Sequence, residues 1–413
     1  MKRIAGVLTA PATRLLLALA AGLLAGALCA GTSAEASLLS LAQPVGKLWL
    51  DALTMTVVPL VTALLIAGVY EAGQSGGNAI ARRAMLWFAA LLIAVSLIGG
   101  VVALGLLEAW PVPDQAARLT ADTASSVPAL SGGWTDNIIP ANVISAAADT
   151  AMVPLVVFAL LFGFALTRIE RELGASIARL FRGIAETMLV IVGWVLWIAP
   201  LGVLALAFGV GVTMGAGAAG VLLHYVLIVI LVCLSVAALT HILAATVGRA
   251  GLVGFARAAL PAQAVAMTTQ SSLASLPVML SAAPVLRVDS VSAGIVLPLA
   301  VSLFRAASAA ANVAVAVYLA QLHGVPITTD SFIAGALVAA AVSVGAVGLP
   351  AQVSFFAVIA PVCVAMGVPV GLLPLLLAIE TLPDVFRTLG NVTADIAVMR
   401  LTGRRAEEDT IYV

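Results

Sequence analysis

Charge is scarce in this sequence. Only 9% of its 413 residues are Asp, Glu, Lys or Arg, where about 25% is ordinary for a soluble domain. A water-facing globule is thereby excluded. The 19 basic and 19 acidic side chains cancel to a net charge of zero, which leaves no basic footprint for a nucleic-acid partner. Cysteine is nearly absent. Cys29, Cys233 and Cys363 lie in separate apolar segments, which suggests neither a disulfide framework nor a metal cluster, and they read as packing residues. Histidine is equally rare: His224, His241 and His323 include no pair at metal-ligand spacing within one helical turn, so structural or interfacial roles are expected and no metal or cofactor is. The sequence also lacks GxSxG, and no histidine falls in the serine-bearing segments. An intramembrane serine hydrolase therefore has no base, and the chain is not read as an enzyme.

What is present is apolar: 63% hydrophobic residues and a mean hydropathy of +1.19. Lipid leaves only helices or closed barrels, and these runs are too long and continuous for alternating barrel strands. The expected fold is an all-α polytopic membrane protein. Apolar runs of spanning length fall near 13–31, 46–70, 84–108, 149–167, 187–210 and 219–247. The basic, then apolar, start resembles a signal peptide, but further spans follow and Arg14 abuts the run, so it is read as a retained first span. The stretch 109–148 reads as an external loop containing Trp134. Beyond 247 the pattern changes. Segments near 252–283 and 331–367 are broken midway by Ser, Gly and Pro, and spans near 290–321 and 368–401 alternate with them.

Charge orients these segments. With the N-terminus inside, the 19 Lys and Arg all fall on the inner side except Lys47 and Arg118 outside, Arg287 unassigned, and Arg305 and Arg387 within spans. That bias fits eight spans with both ends cytoplasmic. It also requires each broken segment to enter and leave on one side, as a re-entrant hairpin. The alternation of hairpin and span suggests two related units of opposite orientation, a common way to build a transport site at the midplane.

The polar residues at membrane depth point to that site. Glu380, Asp384, Arg387, Asn391 and Asp395 follow at gaps of four, three, four and four, which stacks them on one helical face. A central charge costs roughly 2.5–3.5 kcal/mol on insertion scales, so such residues usually face a cavity or a partner. The first hairpin carries TTQSSLASLP, with Ser271, Ser272 and Ser275 at its expected tip. Those hydroxyls either receive an anion together with free helix-end N–H groups or satisfy their own turn. The second carries VSVGAVGLPA, a gate or a tight turn around Gly345, Gly348 and Pro350. In the span between them Pro298 is expected to break or kink the helix. Arg305, in mid-span, is expected to be buried with Asp384, Asp395 or Glu380 as its acidic partner.

These motifs resemble the dicarboxylate/amino acid:cation symporters, the glutamate and aspartate transporters, over nearly the whole chain. The similarity is carried by MTVVPLVTALLIAGV, WIAPLGVLAL, SSLASLP, VLPL, VGAVGLP and RTLGNVTAD. It implies an inverted-repeat homotrimer in the cell (inner) membrane, with a scaffold and transport domains that move as elevators. The implied division is 1–70 for scaffold helices 1–2, 71–108 for transport-domain helix 3, and 109–213 for the external loop and scaffold helices 4–5. Transport-domain helix 6, hairpin 1 (252–283), helix 7 (290–321), hairpin 2 (331–367) and helix 8 (368–403) occupy 214–403, followed by a cytoplasmic tail at 404–413.

By the same resemblance Asp384 matches the acid on the substrate ammonium and Arg387 the fork on its side-chain carboxylate. Thr388 and Asn391 are the polar helpers. Ser272, with Ser271 beside it, reaches the main-chain carboxylate, and Gln270 and Ser308 fall at contact positions. Gly348 and Leu349 fall at the outer gate. The chemistry agrees: Arg forks a carboxylate and Asp pairs with an ammonium.

One stretch departs from the family. Where its members carry Asn-Met-Asp-Gly-Thr, this sequence has Phe304, Arg305, Ala306, Ala307 and Ser308, and Leu91 and Leu92 replace hydroxyl-bearing sodium ligands in the third span. Asp395 matches a retained sodium-site carboxylate. The expectation is that Arg305 supplies the charge that bound sodium supplies in relatives. Acidic amino acids would then be carried without sodium, with protons the alternative coupling ion and Glu380, Asp384 and Asp395 the titratable candidates. The alternatives are a sodium-coupled acidic amino acid symporter, a C4-dicarboxylate symporter that would not need Asp384, and a channel.

Overall fold

The computed structural model describes residues 11–74, 79–113, 139–215, 217–345 and 351–404. Lys2, Arg3, Arg118, Trp134, the gate positions Gly348 and Leu349 with Pro350, and the tail from 405 lie outside them. Among the described residues every regular element is an α-helix, as expected where lipid cannot satisfy backbone groups.

The first apolar run forms α1 (Pro11–Cys29). The second forms one rod interrupted at Met55–Thr56, α2 (Glu35–Thr54) and α3 (Val57–Gln74). Then come α4 (Ala79–Ala109), the short α5 (Val143–Ala148) and α6 (Met152–Leu166). The run read as one span at 187–210 is two helices, α7 (Arg171–Trp197) and α8 (Ala199–Met214), parted at Ile198. Two local causes explain this correction. Pro200 falls in the first turn of α8, where a missing N–H is harmless. Trp49 wedges against the junction: its indole N–H donates to the Val195 carbonyl at 3.0 Å, and its ring fills the space beside Gly202.

α9 (Gly217–Thr246) matches the sixth run. The segment 252–283 folds as α10 (Leu252–Thr269) and α11 (Ser272–Val285), packed against each other. Gln270 reverses the chain between them in the left-handed backbone region (φ +52°), uncommon for a residue other than glycine. The span at 290–321 is again two helices, α12 (Ser290–Leu303) and α13 (Ala306–His323). Of the two expected effects of Pro298, a break is not found there. Pro298 stays inside α12, and the break falls later, at Phe304, which is extended, and Arg305, which is not helical either. The segment 331–367 gives α14 (Thr329–Gly345) and α15 (Ala351–Ala365), also packed together. The last run gives the short α16 (Leu373–Leu377) and α17 (Thr381–Thr402).

Among the described residues, five helical stretches are long and apolar enough to cross a bilayer: Glu35–Gln74, Ala79–Ala109, Arg171–Trp197, Gly217–Thr246 and Ser290–His323. Shorter apolar helices accompany them, and the protein is a multi-pass helical membrane protein.

α13 is the centre of the molecule. Nearly every residue from Ala306 to Leu322 is buried, and α4, α9, α14, α15 and α17 all pack on it. Its Ala-rich sequence permits this, because small side chains let backbones approach when no hydrophobic force drives helices together in lipid. α4 crosses it at Gly99, where an added Cβ would stand 2.5 Å from that of Ala310. α17 crosses it at Gly390, where an added Cβ would stand 2.6 Å from that of Ala307. Gly22 and Gly26 of α1 admit the backbone of α8 in the same way.

Candidate functional site

The break at Phe304–Arg305 leaves helix ends in the protein interior. The first N–H groups of α13 have no intrahelical acceptor and need one from elsewhere. Asn391 of α17 supplies it. Its Oδ1 accepts from the backbone N–H of Ala307 at 2.9 Å and of Ser308 at 3.2 Å, and its Nδ2 donates to Ser308 Oγ at 3.0 Å. Asn391 thus caps a helix far away in sequence. The close approach at Gly390, one residue earlier, is what brings it there.

Glu380, Asp384, Arg387, Thr388, Asn391 and Asp395 are all buried. The expected one-sided stripe holds, with Glu380 at the N-cap of α17 rather than inside it. Arg387, 5% exposed, places Nη2 2.6 Å from Glu380 Oε1, and its Nη1 donates to Asn312 Oδ1 at 3.3 Å. Its Nε makes no hydrogen bond among the described residues, so part of the guanidinium fork remains available to an acceptor. The Tyr225 hydroxyl donates to Glu380 Oε2 at 3.5 Å.

Asp395 is 0% exposed, and neither carboxylate oxygen has a hydrogen bond among the described residues. An unsatisfied buried carboxylate is costly unless a charge compensates it. Arg305, a half-buried residue, lies within electrostatic range of Asp384 and of Asp395.

The first hairpin divides its serines. Ser271 caps α11 by accepting from the Ala274 N–H at 3.2 Å, and the Ser275 hydroxyl donates to the Ser271 carbonyl at 2.9 Å. Both satisfy their own turn. Ser272, half-buried, begins α11 beside the exposed Gln270. Both hairpin helices pack on α17. Leu91 and Leu92 are buried apolar residues of α4. No cluster of His, Cys, Asp or Glu suited to a metal occurs among the described residues.

Three participants escaped the reading of the sequence. Asn312, partner of Arg387, sits one turn beyond Ser308 in an alanine run, and that polar pair was a usable signal. Gln263, donating to Thr393 Oγ1 at 2.8 Å, and Tyr225 carry none.

A broken central helix crossed by a charged one, within a bundle of apolar helices, is an arrangement common among secondary transporters. The sodium:dicarboxylate symporter family model matches residues 12–404, and the chain belongs to that family. It is 26% identical over 414 residues to the proton/sodium-glutamate symport protein of Bacillus caldotenax, covering 96% of each chain. It is 30% identical over 410 residues to the neutral amino acid transporter B(0) of Oryctolagus cuniculus, covering 90% of this chain and 74% of that one. It is 26% identical over 368 residues to the proton/glutamate-aspartate symporter of Escherichia coli K12, covering 86% of this chain and 83% of that one.

Proposed function

We propose that this protein carries aspartate or glutamate across the cell membrane by an elevator-type movement within a homotrimer. Uptake is independent of sodium, with protons as the coupling ion and Arg305 holding the charge that sodium would otherwise bring. The observation that carries this reading is a buried Asp395 with no hydrogen bond among the described residues, with Arg305 within electrostatic range of it and of Asp384. In this reading Asp384 receives the substrate ammonium and Arg387 its side-chain carboxylate. Asn391 with Thr388, Ser308, Ser272, Ser271 and the Gln270 backbone surrounds the main-chain carboxylate, and Gly348 and Leu349 form the gate. The relatives named as glutamate and glutamate-aspartate symporters support the substrate class. Glu380, Asp384 and Asp395 are the proton-carrying candidates.

A second reading has one observation behind it. Glu380 already neutralises Arg387, and a permanently neutralised arginine would suit a neutral amino acid, the class named for the rabbit relative. The two separate in proteoliposomes under an inward proton gradient, with choline in place of sodium. Labelled aspartate should enter, unlabelled glutamate should compete, and glutamine and succinate should not. Competition by glutamine alone would favour the second reading, and competition by succinate as strong as by aspartate would favour a C4-dicarboxylate carrier.

A further inference from the structure

A buried polar line leaves the site toward the far end of α4, and no role has been given to it. His224, 2% exposed, lies on α9 between α4 and α13. Its Nε2 is 3.1 Å from the carbonyl of Trp110, the residue just after α4, itself 46% exposed. A carbonyl can only accept, so Nε2 carries a hydrogen and Nδ1 is the nitrogen left to gain or lose one. Nδ1 is 3.1 Å from the Tyr318 hydroxyl, which is 3.0 Å from the Val221 carbonyl.

One tyrosine hydrogen cannot serve both contacts at once. With neutral His224 it serves either Nδ1 or the Val221 carbonyl, and the other goes without. With charged His224 the imidazolium donates to Tyr318, and the tyrosine donates to Val221. The charged form therefore satisfies all three contacts. It also sits against the carbonyl of Trp110, just past the C-terminus of α4, which is favourable to a cation.

The line continues inward. The Tyr318 ring meets the Tyr225 ring edge-on, with centroids 5.3 Å apart. Tyr225 then reaches Glu380, the partner of Arg387. The other charged or titratable groups beside Glu380 are Asp384 from α17 and Cys233 from α9. Beside His224, α13 offers Tyr318, and Trp110, just after α4, offers its carbonyl and ring.

We propose that His224 is a proton-binding residue of this carrier, relaying a proton between the loop end of α4 and Glu380 through Tyr318 and Tyr225. Each tyrosine receives one hydrogen and gives up its own, so one proton leaves Nδ1 and one arrives on the Glu380 carboxylate. A ring rotation or a single water completes the step between the two hydroxyls. Protonated Glu380 releases Arg387 to the substrate carboxylate. The inference rests on the proton-coupling reading above.

The test measures proton entry with an internal pH dye during aspartate-driven uptake into proteoliposomes, for wild type, His224→Gln and Tyr318→Phe. Tyr318→Phe keeps the ring contact and removes only the hydroxyl. Aspartate–aspartate exchange, which needs no net proton movement, reports folding and binding. Proton-coupled net uptake should fall about tenfold or more in both variants, within the range that positioned acid–base groups supply, with exchange preserved. Absence of proton entry in the wild type would overturn the coupling reading and the relay with it. Wild-type proton entry that is unchanged in both variants, or that falls only in parallel with exchange, would overturn the relay alone.

Discussion

Replacing Arg387 with Gln should weaken aspartate binding by about a hundredfold or more, with calorimetry on the purified variant as the measurement. The loss has two sources. A forked, charge-assisted contact to the substrate carboxylate disappears, and Glu380, 1% exposed, loses its cation. Breaking a buried pair by removing one member costs roughly 3–5 kcal/mol, so Arg387→Gln should also be less stable. The double variant Arg387→Gln, Glu380→Gln removes both charges and should recover stability without recovering aspartate binding. Arg387→Lys should not rescue either, because an ammonium cannot reproduce the fork that spans Glu380 and Asn312. Aspartate affinity that survives Arg387→Gln would place the second carboxylate elsewhere.

Replacing Arg305 with Met should have the second large effect. It leaves Asp395 buried with neither cation nor hydrogen bond among the described residues, again a penalty of about 3–5 kcal/mol. The same change removes the guanidinium that interacts with Asp384. Thermal unfolding in detergent should show a clear loss of stability, and Asp395→Asn in the same chain should restore most of it. Sodium should now matter: added to Arg305→Met it should raise the melting temperature and recover part of the aspartate affinity, while leaving the wild type unmoved. A guanidinium serving only packing would be replaced by Met at small cost, and sodium would do nothing.

The sequence made some of this architecture legible and hid the rest for physical reasons. Long apolar runs in lipid have only one solution, so the helices could be placed from composition. The stripe from Glu380 to Asp395 was legible because charge inside an apolar helix is expensive and must be spaced to share one environment. Breaks inside runs were harder to see. Pro298, the obvious candidate, is tolerated inside α12, while the chain opens at Phe304–Arg305. There the cause is tertiary: Asn391, carried in by the close contact at Gly390, accepts the freed N–H groups of Ala307 and Ser308. The division of α7 from α8 was half legible, in Pro200 but not in Trp49. For the serines of the first hairpin, composition could not say which serve the turn. Ser271 and Ser275 do, and Ser272 makes no such side-chain bond among the described residues. The partners Tyr225 and Asn312 of the Glu380–Arg387 pair come from other helices, α9 and α13, which one-dimensional spacing does not relate to α17.

The claim at the centre is that a tethered cation on α13 stands in for a dissolved one. Calorimetric titration of the wild-type protein with aspartate, at one pH, in sodium chloride and in choline chloride, addresses it most directly. The account predicts the same Kd in both salts; an affinity lower by about tenfold or more in choline, a difference of 1.4 kcal/mol, would contradict it.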